Sequence, residues 1–286
     1  MPKQDFGHYR LIRSCRLGNG GMGAINECRA DMKFLTWNIQ SGGGKRIPGI
    51  VQELQLLNPD FIVLTEVTAK NNATLQQALA ASNYRHVFSL CPPANEKSVM
   101  LASKTPFKIA NDGLSNDQER WVSIEMPDKN LKILGVHIPG ATDNKFGADG
   151  FGISGEKRKE RFWTEVIKYA EKSKGLKTIL LGDFNTGLRE DAEGTPFKLS
   201  EFIVKLRDTG FVDTWRHLHP NTRDYTWYWR RKDKIDGSSQ PHNGFRLDYV
   251  FVSPLLRDGI VSAQHVHHVR EQKLSDHSIV MAEVNV

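Results

Sequence analysis

Polar side chains of the kinds that bind metal ions or phosphate stand at the ends of several apolar segments in this sequence. They are Asn38, Glu66, His137, Asp183, Asn185, Asp248, Asp276 and His277. A buried amide or charge is costly unless it is paired or binds a metal. Because these residues take similar places at strand ends, where sheets present functional groups, we predict that they converge on one site.

This set of side chains suits the hydrolysis of a phosphate ester. Asparagine and glutamate oxygens are ligands for a hard cation such as Mg²⁺. Such a cation neutralises the charge that develops on the phosphoryl oxygens. A carboxylate can orient or deprotonate the attacking water, and an aspartate can hold a histidine in one protonation state against the phosphate.

Each of these residues, taken alone, also has a purely structural explanation. The explanations are a turn cap for Asn38, a solvated charge for Glu66, a satisfied buried histidine for His137, an Asx turn for Asp183 and Asn185, an ion pair of Asp248 with Arg246 or Arg257, and a cap for Asp276 and His277. Their shared order and placement favour the single site.

The elements that must position these residues are alternating strands and helices after Met32. The apolar patterns predict helices over 47–57, 71–82, 154–173 and 197–208, and strands over 33–39, 61–65, 84–90, 98–102, 121–126, 131–138, 177–181, 225–229, 246–252, 262–269 and 278–285. Strands outnumber helices and often follow one another directly. This pattern predicts two packed sheets flanked by helices.

The first 31 residues differ from the rest, with five of the 24 glycines and two of the three cysteines. The segment from Tyr9 to Gly23 resembles the glycine-rich loop of bacterial serine/threonine kinases, but no VAIK, HRD or DFG motif follows. We therefore predict that 1–31 is a disordered or vestigial extension and that 32–286 is one catalytic domain.

The composition is that of a globular protein with a basic balance. The formal net charge is +6 and the pI about 9.1, which favours polyanionic partners such as nucleic acid. No apolar run approaches the roughly 20 residues of a membrane span. Cys15, Cys28 and Cys91 form no CxxC spacing, which argues against disulfides or zinc. We expect a cytoplasmic protein without a membrane or an obligate protein partner.

Six segments occur in the order of the endonuclease/exonuclease/phosphatase superfamily, which the chain resembles from Met32 to Val286. They are TWNIQSG (36–42), FIVLTEV (61–67), GVHIP (135–139), LLGDFNTG (180–187), FRLDYVFVS (245–253) and LSDHSIV (274–280). The resemblance implies an α+β fold of the deoxyribonuclease I type, a four-layer sandwich of two packed, mainly antiparallel β-sheets flanked by helices. It also implies dependence on Mg²⁺ or Mn²⁺.

The resemblance also implies roles for the strand-end residues. Asn38 and Glu66 would hold the metal, with Asp276 nearby. Asp183 would activate the water, and Asn185 would contact the phosphate. Asp248 and His277 would form the pair that meets the scissile phosphate, and His137 would serve as an acid toward the leaving group. Two departures from abasic-site endonucleases of the exonuclease III type weaken an abasic-site assignment. Gln40 stands where they have an aspartate, and His137 stands near the position of their tyrosine.

An aromatic and basic tract over 224–234 favours nucleic acid as the substrate. Aromatic faces can stack on bases while cations hold phosphates. The predicted substrate-binding residues are Trp229, Arg230, Arg231, Lys232 and Arg246. The alternative is a half-buried strand followed by a solvated basic loop. The loop, residues 230–243, is then a better candidate for a substrate rim than the strand before it. A second basic run, 157–161, is expected to be a solvated helix face.

These observations predict a divalent-metal-dependent nuclease that hydrolyses phosphodiester bonds of DNA, with RNA as a further possible substrate. The alternative is a phosphatase or phosphodiesterase of the same fold that acts on a small phosphoester or a phospholipid headgroup, since one fold serves many substrates. A degenerate relative that only binds nucleic acid is disfavoured because the expected site residues are all present.

Overall fold

The fold is built on two six-stranded β-sheets, in a computed structural model that describes residues 31–146, 151–233 and 237–286. The predicted extension lies outside the described residues, except for Asp31. In spatial order, the first sheet contains β15 (Ile260–Val266), β16 (Ile279–Asn285), β1 (Asp31–Asn38), β2 (Phe61–Val67), β4 (Ser98–Ser103) and β3 (His86–Ser89). Its β1 and β2 are parallel and its other pairs are antiparallel.

The second sheet comes entirely from the middle of the chain. In spatial order it contains β11 (Val212–Asp213), β14 (Asp248–Val252), β10 (Thr178–Asp183), β7 (Leu131–His137), β6 (Trp121–Met126) and β5 (Lys108–Ile109). Strands β7 and β10 are parallel, and the remaining pairs are antiparallel. Two ribbons stand apart from the sheets: β8 (Lys145–Phe146) with β9 (Gly152–Ile153), and β12 (Trp227–Lys232) with β13 (Ser239–Phe245).

The central strands are apolar on both faces because both faces are covered. In β1, Phe34 packs into the core between the two sheets, whereas Leu35 packs outward. In β10, Leu181 faces the other sheet and Leu180 faces outward. This two-residue alternation explains why the segments read as continuous apolar runs.

Helices cover the outer face of each sheet. Their bounds are α1 Ile47–Leu57, α2 Ala69–Ala81, α3 Gly155–Ser173, α4 Glu201–Asp208, α5 Thr214–Leu218 and α6 His268–Glu271, with 3₁₀ turns at Gly44–Arg46, Gln118–Arg120, Pro127–Lys129, Arg189–Asp191 and Pro254–Gly259. Apolar side chains of α1 and α2 pack on the first sheet, and those of α3 and α4 on the second. The predicted four-layer α+β sandwich is confirmed.

Two local predictions differ from the structure. Within the segment 230–243, residues 230–232 and 239–243 are not a loop, because they belong to the paired strands β12 and β13. The strand predicted over 262–269 ends at Val266, and α6 follows it. No helix in the described residues is long and apolar enough to cross a membrane.

Candidate active site

Three neighbouring strands of the second sheet bring a histidine and two aspartates side by side. In the strand register, Asp183 at the end of β10 lies next to His137 of β7 on one side and Asp248 of β14 on the other. All three are buried. Gly182 permits the close approach of these strands, because its φ is 149° and a Cβ there would lie 1.9 Å from the Val136 carbonyl oxygen.

A hydrogen bond across the two sheets connects this group to the first sheet. Asn38, the last residue of β1, donates from Nδ2 to Oδ2 of Asp183 at 2.9 Å. The Oδ1 atom of Asn38 accepts the backbone N–H of Gln40 at 2.9 Å. The Asn38 amide is therefore held at both ends, with its oxygen and the Asp183 carboxylate close together where the sheets meet.

His277 and Asp248 form a buried pair beside Asp183. The Nδ1 atom of His277 lies 2.8 Å from Oδ2 of Asp248. Burial alone would lower the pKa of His277, but the adjacent Asp248 carboxylate raises it to about 10. His277 is therefore an imidazolium at neutral pH, and its Nδ1–H donates to Asp248.

Asp183 lies in surroundings that disfavour its negative charge. Burial and the neighbouring Asp248 carboxylate raise the pKa of Asp183 to about 7. Potential ligand atoms of Asp183, Asp248 and His277 all lie within 4.8 Å of one another. A carboxyl group with a pKa near 7 can take a proton from water under neutral conditions.

Glu66 is turned toward this group by an irregularity in β2. The register between β2 and β4 shifts between Leu64 and Val67, and Glu66 has a φ of 63°, which is strained for a residue with a side chain. Its Oε2 atom accepts the Ser41 backbone N–H at 2.7 Å and lies 2.5 Å from Nζ of Lys97. Burial raises the pKa of Glu66, but Lys97 outweighs this effect and holds it below the ordinary value.

Asn185 closes the turn that follows β10. Its backbone N–H donates to Oδ1 of Asp183 at 2.8 Å, and its side-chain Nδ2 donates to the Ile138 carbonyl oxygen at 2.8 Å. Lys159 of α3 fixes the same turn, because its Nζ donates to the carbonyl oxygens of Asn185 at 2.7 Å and Lys198 at 2.8 Å.

Lys159 also corrects a prediction made for the basic run 157–161. This run is not uniformly solvated, since Lys159 and Arg158 are both buried. Burial lowers the pKa of Lys159 to about 8. The two side chains point inward because backbone carbonyls and carboxylates inside the protein accept their hydrogen bonds.

Asp276 lies at the rim of the group. Its Oδ2 atom accepts the indole N–H of Trp227 at 3.2 Å. The hydroxyl of Ser275 donates to the Asn38 carbonyl oxygen at 2.6 Å, which places this loop against the end of β1. The loop that carries Asp276 therefore lies beside the end of β1, while the Asp276 side chain itself bonds Trp227, and its role near a metal stays a prediction.

The side chains fit a hard divalent cation. The Asp183 and Asp248 carboxylates lie together, the Asn38 amide donates to Asp183, and Glu66 lies within electrostatic reach of His277. Carboxylate and amide oxygens are the ligand types that Mg²⁺ and Mn²⁺ prefer. The Oδ1 atom of Asp248 is buried without a hydrogen-bond partner in the described residues. An unpaired carboxylate oxygen beside a second carboxylate is costly unless a cation offsets the charge.

A second cluster with metal-ligand side chains, Asp224, His265 and His267, is occupied by hydrogen bonds. Arg270 lies 2.9 Å from Nδ1 of His267 and can only donate, so this nitrogen accepts. The proton of a neutral His267 must then be on Nε2, which donates to Asp224 at 3.0 Å. The cluster therefore joins β15 to the loop before β12.

The chain matches a known family over most of its length. A profile of the Endonuclease/Exonuclease/phosphatase family matches residues 35–277, which include Asn38, Glu66, Asp183, Asp248 and His277. The chain belongs to this family. The match lies inside the predicted domain 32–286, whose bounds stay a prediction.

Individual members of the Endonuclease/Exonuclease/phosphatase family are distant from this chain. Recombination repair protein 1 of Drosophila melanogaster is 23% identical over 271 residues, which are 90% of this chain and 37% of that protein. A DNA-(apurinic or apyrimidinic site) endonuclease of Dictyostelium discoideum is 25% identical over 243 residues, 80% of this chain and 64% of that protein. The chain thus spans less than two thirds of either relative.

One solved structure shares the fold of this chain. It is the 3' phosphatase NExo from Neisseria, bound to a product DNA hairpin. The match has a TM-score of 0.72 at 21% identity and covers 89% of this chain and 100% of that chain.

Four of the five predicted substrate-binding residues of this chain lie on the ribbon of β12 and β13. Trp229 is 49% exposed, and Arg230, Arg231 and Lys232 are exposed. The ribbon starts beside the site, because Trp227 forms a β-bridge with His277. Its position permits contact with a substrate bound there.

The prediction that Arg246 binds substrate is wrong. Arg246 is 1% exposed, and its guanidinium donates to Asp213 at 2.6 Å and to Asp191 at 2.5 Å. Its side chain therefore points into the protein. Asp248, two residues later, belongs to the candidate site. Asp248 itself pairs with His277 and not with an arginine.

Lys97 and Arg120 are the site residues that the sequence analysis missed. Lys97 precedes β4 and pairs with Glu66, whereas Arg120 precedes β6 and contacts His137. Both are charges next to an apolar strand, which is the signal that identified the other residues. A lysine or an arginine beside a strand is usually solvated, so the residue type alone does not mark it as part of a site.

Proposed function

We propose that this protein is a divalent-metal-dependent nuclease that hydrolyses phosphodiester bonds of DNA by activated-water attack. The observation that carries the proposal is the cross-sheet group in which Asn38 binds Asp183 while Asp248 binds His277. It combines oxygen ligands, a carboxyl group that can take a proton and a histidine cation in one buried place. The names of the relatives, a DNA endonuclease and a 3' phosphatase bound to DNA, support DNA as the substrate.

Asn38 and Glu66 would hold the metal, with Asp276 nearby and Mg²⁺ or Mn²⁺ as the ion. When bound, the ion would offset negative charge on the phosphate oxygens and on the leaving oxygen. Asp183 would orient the attacking water and accept its proton, for which a pKa near 7 is suited. The His277 imidazolium, held by Asp248, would donate a hydrogen bond to a phosphate oxygen. Asn185 would lie against the same phosphate.

The test is a panel of end-labelled substrates incubated with the purified protein and Mg²⁺ or Mn²⁺, with and without chelator. The panel contains single-stranded, duplex, nicked, abasic and 3'-phosphorylated DNA, RNA, a small phosphomonoester and a phospholipid. We expect metal-dependent cleavage of DNA. Intact DNA together with hydrolysis of a small phosphoester or a phospholipid would replace the nuclease by the alternative phosphatase or phosphodiesterase.

Asp183→Asn supplies the matched inactive variant. We expect turnover to fall by about 10² to 10⁴, the usual contribution of a general base. Asp128→Asn makes the same chemical change at an exposed position and should leave turnover unchanged. Equal turnover of the two variants would contradict the role of Asp183.

The ribbon of β12 and β13 is proposed to contact the DNA backbone and bases. We expect Arg231→Ala to weaken binding of all DNA sequences and to reduce the slope of affinity against salt by about 1. Trp229→Ala should weaken binding by about 1–3 kcal/mol if it stacks on a base. Binding titrations of the Asp183→Asn protein at several salt concentrations measure both effects, and Lys129→Ala on the far side of β6 is the control.

A cytoplasmic location remains a prediction from the cysteine pattern.

A further inference from the structure

His137 is a member of the strand-end group whose chemistry is decided by a residue outside the family motifs. It lies at the end of β7, 2% exposed, in register with Asp183. Its Nδ1 atom faces Arg120, and its Nε2 atom lies 4.0 Å from Oδ2 of Asp183. The two ring nitrogens thus point in different directions, one into the protein and one toward the proposed phosphate position.

Arg120 decides which nitrogen of His137 carries the proton. Its Nη1 atom makes a hydrogen bond of 3.3 Å with Nδ1 of His137. A guanidinium has donors only and stays protonated in proteins, so Nδ1 must be the acceptor. A neutral imidazole that accepts at Nδ1 has its proton on Nε2. An imidazolium has a proton on each ring nitrogen, and the N–H of Arg120 occupies the place that a proton on Nδ1 would need.

Arg120 cannot turn away from His137 without losing its other partners. It is 3% exposed, its Nη2 atom lies 3.4 Å from Glu96 and 3.7 Å from Asp143, and the 3₁₀ turn that contains it packs beside β7. Glu96 is held in turn by Arg158 at 2.9 Å. These contacts engage both Nη atoms of Arg120, whereas its Nε is buried without a hydrogen-bond partner in the described residues. Turning the side chain away would leave more buried donors unpaired, which is costly.

The 4.0 Å between Nε2 of His137 and Asp183 is too long for a direct hydrogen bond. An oxygen atom that lies to one side of the line joining them could be within hydrogen-bond distance of both. In the proposed reaction, that oxygen belongs to the attacking water or to the phosphate.

We propose that Arg120 is a positioning residue that holds His137 in the Nε2–H tautomer, so that His137 serves the reaction as a neutral hydrogen-bond donor to a phosphate oxygen. This inference rests on the proposed function for its substrate and on the hydrogen bond for its chemistry. It replaces the expected role of His137 as an acid toward the leaving group. In agreement with it, burial and the Arg120 cation hold the pKa of His137 well below its ordinary value.

The direct test is ¹⁵N NMR of the histidine rings in the full-length protein without metal, with the His137 signals assigned from the spectrum of His137→Gln. We expect one neutral tautomer with the proton on Nε2. Arg120→Met should give a mixture of tautomers. The control is Arg158→Met, because Arg158 is equally buried and shares Glu96 but contacts Asp117 instead of His137. It should keep the wild-type tautomer.

A pair of substitutions at His137 tests the donor role in catalysis. The amide nitrogen of glutamine can occupy the place of Nε2, whereas that of asparagine reaches only the place of Nδ1. We expect His137→Gln to keep about tenfold more turnover than His137→Asn, roughly the value of one hydrogen bond. Arg120→Met should lose a similar factor in kcat with an unchanged KM.

The outcomes separate this inference from the proposed function. A wild-type His137 that carries its proton on Nδ1, or on both nitrogens, overturns the assignment to Arg120 whatever the turnover. A change of tautomer in Arg158→Met equal to that in Arg120→Met does the same, because it would mean a general loss of packing. If no substrate is cleaved, the nuclease proposal fails, and the NMR result still decides whether Arg120 controls the tautomer.

Discussion

Two groups of buried charges lie close together in the second half of the fold and differ in how their charges balance. The arginine cluster consists of Asp191, Asp213, Arg216 and Arg246, in which each acid contacts at least one arginine. The site cluster consists of Asp183, Asp248 and His277, in which two acids share one cation. Arg246 and Asp248 are two residues apart in sequence, yet one belongs to each cluster.

The difference teaches how structural and functional charges can be told apart. In the arginine cluster two cations face two acids, so each charge is offset when the protein folds. In the site cluster the excess acid, Asp183, has its pKa raised to about 7 by burial and by the Asp248 carboxylate. A buried excess of charge is costly, and it persists where function needs it.

The largest effect on stability is expected in the arginine cluster. Arg246→Met should lower the free energy of unfolding by about 3–5 kcal/mol, because it leaves Asp213 buried without its cation. Urea titration followed by circular dichroism measures the loss, and the exposed Arg257→Met is the control. A loss below about 1 kcal/mol would mean that the arginine cluster is not balanced in the way described.

In the site cluster the corresponding substitution should have the opposite sign. In chelator at pH 8, Asp183→Asn should raise the free energy of unfolding on the order of 1–4 kcal/mol, because it removes a charge that burial and Asp248 disfavour. Saturating Mg²⁺ should narrow the difference in stability between the two proteins, because a nearby cation offsets the charge of Asp183 in the wild type. A destabilised Asp183→Asn protein in chelator would remove the distinction between the two clusters.

The smallest expected effect is the pH dependence of the difference in the free energy of unfolding between the wild type and Asp183→Asn. The pKa of Asp183 is raised in the folded protein, so between about pH 4 and 7 the folded state keeps a proton that the unfolded state has lost. Wild-type stability therefore falls across this range relative to Asp183→Asn, and the two proteins converge toward pH 4. Thermal unfolding of both proteins in chelator at several pH values measures it. A constant difference would indicate that Asp183 does not titrate in this range.

The sequence was sufficient to predict which polar residues lie together, because buried strands have few of them. Asn38, Asp183 and Asp248 interrupt or end apolar segments, and the structure brings these three side chains to one place. Two packed sheets flanked by helices followed from strands that outnumber helices and often follow one another directly, and the four-layer sandwich followed from the resemblance to the family.

The remaining parts depended on information that a single sequence does not contain. Arg246 and Arg231 are the same residue type in one basic region, yet only contact with Asp191 and Asp213 determines that Arg246 is buried. Lys159 lies in a run of cations, and its burial depends on carbonyl groups brought there from distant segments. The ribbon of β12 and β13 is largely exposed and polar, so no alternating apolar pattern marks it as paired strands.

The order of the strands determines when the site can exist during synthesis. The first sheet combines strands from the start of the described chain with β15 and β16, and β16 lies between β15 and β1. Until residues beyond His277 have left the ribosome, β1 keeps an apolar strand edge without its neighbour. An incomplete chain therefore lacks His277 as well as the strand that closes this sheet, so the candidate site can form only once this last strand is in place.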